Sequence, residues 1–292
     1  MDTAEIFKNK HNGERAFFIG NGPSLSDTPL TELESEHTFA TNRIWKYYDN
    51  TSWRPDYYTY IHSHGLVDKE AITNSTSDET IGFVSSHVKE QLQDDENIIY
   101  MKSEQYKDDR VECLRKPKTI PDYAYDLWSD DPQEVIYGYN GSIYAIFQLV
   151  HYMGFDELYL VGCDLGIDTD WYPIYEEALE PKEFIFDYEG QDRNTKVEFI
   201  RRADEKLKSV VNGLAYKFPT PFEIFYQNEH HFTSDYFGNS IKRGTDGAQR
   251  RAHRLGRIKL QERGVDVYNA TIGGELEVHP RVALSEITQG AE

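Results

Sequence analysis

Residues 16–25 read Ala-Phe-Phe-Ile-Gly-Asn-Gly-Pro-Ser-Leu, an apolar run that stops on two glycines and a proline. The four apolar residues suit a buried strand. Gly20 and Gly22 let the backbone turn tightly and come close to a neighbour or a ligand. Pro23 stiffens the turn, and Ser24 can cap the helix expected near residues 28–35. A strand that runs into a glycine-opened helix is a building unit of parallel α/β sheets. The free N–H groups of such a helix start favour phosphate. The spacing is neither GxGxxG nor GxxxxGK[ST], which disfavours a standard dinucleotide fingerprint and a P-loop. An ordinary strand-to-helix turn would use the same glycines.

The same alternation continues outward along the chain. Further strands are expected at His37–Thr41, Asp56–Ile61, Ile81–Ser86 and Ile98–Lys102, and a loop-rich excursion over 103–135. A helix is expected from Ser142 through Tyr152, ended by Gly154. Leu158-Tyr159-Leu160-Val161 is almost wholly apolar and suits a central parallel strand, which ends at Gly162-Cys163-Asp164. An acidic, aromatic stretch over 167–193 reads as a lid-like insertion. A helix near 195–216, a strand at 222–227, a helix at about 246–263 and a strand from Val265 to Ala270 complete the pattern. The fold expected is α/β: a single Rossmann-like domain over residues 1–292, its mostly parallel sheet flanked by helices.

Composition narrows the function. Among 292 residues, Lys and Arg number 31 against 51 Asp and Glu, a formal net charge of −20. A field of that sign repels nucleic acid. It fits an ordinary acidic cytoplasmic protein or one from a high-salt cytoplasm, where screening makes dense acid tolerable. No run of about 18 apolar residues is present, so no transmembrane helix is expected. The first residues lack a basic-then-apolar signal, which points to the cytoplasm. Two cysteines, Cys113 and Cys163, exclude a disulfide framework.

The chemistry-bearing candidates gather at expected strand ends and helix starts. Asn42 follows the second strand, where ligands bind in open α/β sheets, and its amide can pair with a base or sugar edge. Asn140-Gly141-Ser142 can cap the helix it opens and present N–H groups to an anion or ribose. Asp164 could hold ribose hydroxyls, a metal or neighbouring backbone. With Asp168 and Asp170 a magnesium site is conceivable, although solvated loop acids have the same spacing. In Glu229-His230-His231-Phe232-Thr233-Ser234-Asp235, two His and an Asp lie close together as acid/base candidates. Cys163 reads as a small buried hydrophobe. Residues 242–263 hold eight bases against two acids. Arg250, Arg251 and Arg254 in that helix are candidates for an anion or acceptor patch.

The ordered set FFIGNGPSL, TNRIW, NGSIYAIFQLVHYMGFDELYLVGCDLG, EHHFTSDYFGNS and GVDVYNATIGGELEV resembles the MptE-like domain family. That family is named for the archaeal 6-hydroxymethyl-7,8-dihydropterin pyrophosphokinase and is related to the family 42 bacterial sialyltransferases. The matching blocks run from about residue 16 to about 282. The resemblance implies a nucleotide site built from Gly20, Asn21, Gly22, Ser24, Asn42, Gly141, Ser142, Gly162 and Asp164. It implies that Tyr172 meets the leaving phosphate, although Gly166 replaces a nearer Tyr of the sialyltransferases. Their general-base His falls in a His-Tyr-x-x-His segment that aligns with His231 to Asp235. The base position is therefore Asp235, with His231 as the substitute.

The activity so implied is transfer of an acidic, nonulosonate-type sugar from a CMP-like nucleotide donor to a glycan or lipid-linked acceptor, with no metal or other cofactor. The alternatives are a magnesium- and ATP-dependent pyrophosphokinase acting on 6-hydroxymethyl-dihydropterin and a non-catalytic glycan-assembly protein. Strand three ends in Tyr60-Ile61-His62-Ser63-His64-Gly65, without the carboxylate cluster of the pyrophosphokinases, which favours glycosyl transfer. The basic helix leaves peripheral membrane contact open, and a homo-oligomer is equally open.

Overall fold

The structure is a computed structural model and describes residues 4–61, 68–76, 79–92, 95–108, 119–165, 232 and 246–288. Seven strands form one sheet: β1 (Arg15–Ile19), β2 (His37–Thr41), β3 (Tyr57–Tyr60), β4 (Ile81–Ser85), β5 (Ile98–Met101), β8 (Glu157–Val161) and β9 (Asp266–Asn269). Their order is β5-β4-β3-β2-β1-β8-β9, and every pairing is parallel. The expected α/β architecture is thus the observed one.

The alternation of side chains explains why these strands read as nearly continuous apolar runs. Ala16 and Phe18 face one core with Phe39, Tyr57, Phe83, Leu158 and Leu160. Phe17 and Ile19 face the other with Ala40, Tyr58, Val84, Tyr159 and Val161. The first core is closed by α2 (Ile143–Met153) and α3 (Asp246–Gln261). These two helices approach closely because Gly256 has no side chain. A Cβ there would lie 2.0 Å from the Phe147 ring. The second core is closed by α1 (Lys69–Ser75), α4 (Leu284–Thr288) and short 3-10 turns. Gly154 takes the left-handed conformation (φ 86°) that ends α2, as the sequence predicts.

Two expectations change. The helix near 28–35 is instead a pair of 3-10 turns, Pro23–Asp27 and Leu30–Leu33. Pro29 sits at the start of the second turn and has no N–H with which to continue a helical ladder. The excursion over 103–135 contains β6 (Ser103–Tyr106), which pairs in parallel with β7 (Ile136–Tyr139) as a separate two-stranded sheet. The expected insertion at 167–193, helix at 195–216 and strand at 222–227 lie outside the described residues. Among the described residues no helix is long and apolar enough to cross a membrane.

Candidate functional site

The chain adds strands outward from β1 in one direction and from β8 in the other. The crevice beyond the carboxyl ends of β1 and β8 is therefore the topological switch point, where open α/β sheets bind ligands. The loops leaving these two strands touch through backbone. Gly20 N–H donates to the Val161 carbonyl at 2.7 Å, and Gly22 N–H to the Gly162 carbonyl at 2.9 Å. A Cβ on Gly20 would lie 2.4 Å from the Gly162 oxygen, and one on Gly22 would lie 1.8 Å from Asp164 Oδ2. A third loop closes in through Gly274, whose Cβ would meet the Asp164 carbonyl oxygen at 2.5 Å. Gly162 is itself left-handed, at φ 67°.

Asp164 locks this arrangement. Its Oδ1 accepts the Ser24 N–H at 3.2 Å and its Oδ2 accepts the Ser24 hydroxyl at 2.9 Å. Burial pushes the Asp164 carboxyl above the usual carboxylate range, against the opposing hydrogen bonds from Ser24. The protein's own carboxylate therefore occupies the amide position expected for a phosphate. The N–H groups of Gly20, Gly22 and Ser24 all serve the fold, so these glycines are required for loop packing. Ser24 caps no helix, since Gly22 precedes the 3-10 turn and makes no side-chain cap bond.

Beside this lock, three polar residues from separate segments are linked in series. Asn21 is buried and donates from Nδ2 to the Thr41 carbonyl at 3.0 Å. The next residue, Asn42, is left-handed at φ 56°, a conformation Asn tolerates better than most residues. Its carbonyl accepts the Tyr58 hydroxyl at 2.7 Å. The Ser142 hydroxyl, one hundred residues on, donates to Asn42 Oδ1 at 3.5 Å. Ser142 immediately precedes α2, has helical dihedrals (φ −68°, ψ −26°) and makes no cap bond. The capping expected of Ser142 is therefore replaced by a contact across to β2. Gly141 lies beside it, half-buried. Asn140 also does not cap α2. It accepts the Asp108 N–H at 2.9 Å and donates to Asp108 Oδ2 at 3.1 Å.

Phe232, the described residue between His231 and Asp235, is fastened beside these residues. Its N–H donates to the Asn21 carbonyl at 3.2 Å, and its carbonyl accepts the Ser26 hydroxyl at 3.5 Å. Its ring meets Tyr47 edge-on at 5.1 Å, and the Tyr47 hydroxyl donates to the Leu25 carbonyl at 3.0 Å. His231, Asp235 and Tyr172 lie outside the described residues.

The arginine patch separates into three different roles. Arg251 is 1% exposed and pairs with the equally buried Asp108 at 2.7 Å, so it belongs to the interior and not to a surface patch. Arg250 donates to the carbonyls of Glu275 (2.6 Å) and Leu165 (3.2 Å), tying those two backbone positions together. Arg254 is half-buried, and burial and the neighbouring Arg250 and Arg251 lower its pKa. With Arg257 it lines a groove of about 500 Å³ that also contains Ile120, Tyr125 and Glu277. The expected Cys163 is a buried, free thiol, and burial pushes its pKa far upward.

Sequence reasoning missed the parts of Gly274, Phe232 and Tyr47. Gly273-Gly274 carried a turn signal, but nothing in the sequence aims that turn at Asp164. Phe232 was visible only as an apolar residue inside a polar segment. Asn21, Asn42 and Ser142 thus bring two amides and a hydroxyl to the ends of β1 and β2 and the start of α2, groups of a kind that can hydrogen-bond a base or sugar edge.

No family model matches the chain, and no curated protein matches it. A solved structure of the MAf glycosyltransferase from Magnetospirillum magneticum AMB-1 matches with a TM-score of 0.45 at 13% identity, over 98% of this chain. This chain spans only 37% of the length of that one. A likeness of that degree does not carry function, which rests on the residues themselves.

Proposed function

We propose that this chain is a glycosyltransferase that moves an acidic, nonulosonate-type sugar from a CMP-like nucleotide donor to a hydroxyl of a glycan or lipid-linked acceptor. One observation carries the proposal. Asn21 bonds the Thr41 carbonyl, next in the chain to Asn42, and Asn42 in turn bonds Ser142, so three separate segments are linked beyond the ends of β1 and β2, with Phe232 fastened to the Asn21 backbone.

In this proposal Asn21, Asn42 and Ser142 hydrogen-bond the nucleotide. Gly20, Gly22, Gly162, Ser24 and Asp164 act as positioning residues that keep the loops at the right separation. Gly141 leaves space at the start of α2, whose dipole favours negative charge. Asp235, or His231 in its place, takes the proton of the acceptor hydroxyl, a contribution of about 10²–10⁴ in rate. The acceptor oxygen bonds to the anomeric carbon as the bond to phosphate breaks, and CMP departs with the electron pair. Tyr172 and the helix start stabilise the developing phosphate charge. Arg250 and Arg254 attract the anionic donor or acceptor from the rim.

Thermal-shift measurements with CMP, UDP, GDP and ATP, each with and without magnesium, test the nucleotide assignment, because a ligand that binds only the native state raises its apparent stability. The expected result is a shift with CMP that does not need magnesium. A shift with ATP that requires magnesium would replace the proposal with pyrophosphate transfer. No shift with any nucleotide would point to the non-catalytic alternative.

A further inference from the structure

We propose that His11, Glu14 and His37 form a site for one divalent transition-metal ion, zinc by ligand chemistry, at the end of the sheet opposite the switch-point crevice. His37 opens β2, and residues 11 and 14 immediately precede β1, so the cluster lies at the amino ends of these strands. The crevice lies at their carboxyl ends.

The donor atoms are already together. Glu14 Oε2 is 2.6 Å from His11 Nδ1 and 3.0 Å from His37 Nε2, and one ligand atom from each residue falls within 4.8 Å of the others. A tetrahedral zinc with ligands at about 2.0–2.1 Å holds its donors about 3.3 Å apart. A short outward movement of the Glu14 side chain, which is 50% exposed, would open that space. Two imidazoles and one carboxylate are a recurrent zinc set, with water in the fourth position.

The surroundings hold the ligands in place. His11 Nε2 hydrogen-bonds the Tyr57 hydroxyl at 2.7 Å, the kind of outer contact that orients a ligating histidine and leaves Nδ1 for the metal. The His11 ring stacks on Phe155 at 4.5 Å and 11°. The His11 backbone N–H donates to the Met153 carbonyl at 2.8 Å, and the Glu14 carbonyl accepts the Asp156 N–H at 3.0 Å. The cluster thus ties three chain segments together.

The test is a zinc titration of the full-length, chelator-treated chain against a competing chelator. It is repeated with Glu14→Gln, His37→Gln and the double variant, with circular dichroism recorded on each. The expected result is one equivalent of zinc bound by the natural chain, at least about tenfold weaker binding in each single variant, and loss of that equivalent in the double variant. Cobalt(II) added to the natural chain should give the visible absorption of a tetrahedral centre, a readout that survives if a variant fails to fold. Undiminished zinc binding in a folded double variant, or no zinc binding and no such absorption with the natural chain, would overturn the proposal.

Discussion

Gly20 shows at the scale of one residue how the sequence signal and the structural demand differ. Its spacing from Gly22 was legible as a tight turn near a ligand. The structure instead requires it because a side chain would strike the Gly162 carbonyl oxygen, at 2.4 Å. Neither atom lies on a flexible side chain, so relief means moving a strand end. Gly20→Ala is therefore expected to cost about 3 kcal/mol, at the upper end of ordinary single substitutions. Gly264 is left-handed at φ 78° with nothing within 4 Å of a built Cβ, so Gly264→Ala should cost only the conformational strain, about 1 kcal/mol. Urea unfolding of both variants measures the contrast. Equal losses would mean that the contact between the β1 and β8 loops does not determine the role of Gly20. Asn42 and Ser142 were legible as candidates from their places at a strand end and a helix start. Their mutual contact was not, since nothing local relates positions one hundred residues apart.

The helix α3 makes the corresponding point for an element. Its run of bases was legible in the sequence, and their destinations were not. Arg251 and Asp108 are each 1% exposed and paired at 2.7 Å. Asp108 also accepts hydroxyl bonds from Tyr139 at 2.8 Å and Tyr123 at 2.5 Å. Burial alone would raise the Asp108 pKa, but bonds from Tyr123, Arg251, Tyr139 and Asn140 outweigh it and lower the value. Arg251→Met removes the opposite charge from that buried carboxylate, which keeps only its neutral donors, and is expected to cost about 3–5 kcal/mol. Arg251→Met combined with Asp108→Asn should recover part of the loss, as chemical denaturation of the single and double variants would measure. A loss below about 1 kcal/mol in Arg251→Met would show the pair to be dispensable. On the same helix, His253 Nδ1 lies 3.1 Å from His279 Nε2. Burial drives both pKa values down, that of His253 to about 3. The folded rings stay neutral while the unfolded ones take up protons below about pH 6.5. Stability should therefore fall as pH drops from about 6.5 toward 3. Replacing both residues with Leu should flatten that part of the midpoint-against-pH curve. An unchanged slope would assign the effect to other groups.

For the whole molecule, the parallel sheet was legible because strands buried on both faces must be apolar at nearly every position, as at 16–19 and 158–161. The small β6–β7 sheet was not, because Ser103-Glu104-Gln105-Tyr106 lacks that apolar continuity and depends on its partner strand. The net charge of −20 predicts self-repulsion that salt screens over about 10 Å at 0.1 M. The unfolding midpoint should rise as sodium chloride is increased from about 0.1 M to 1 M, where the screening length falls to about 3 Å. A flat response would show that the acidic residues are already balanced by local pairing. The site depends on a separate global property, the reversal of strand order between β1 and β8 that opens a crevice beside Asn21, Asn42 and Ser142. Calorimetric titration of CMP without divalent metal into the natural chain, Asn42→Ala and Ser142→Ala tests that site most directly. The account predicts binding by the natural chain and at least about tenfold weaker binding, equivalent to about 1.4 kcal/mol, by each folded variant. CMP binding unchanged in both variants, or absent from the natural chain, would contradict it.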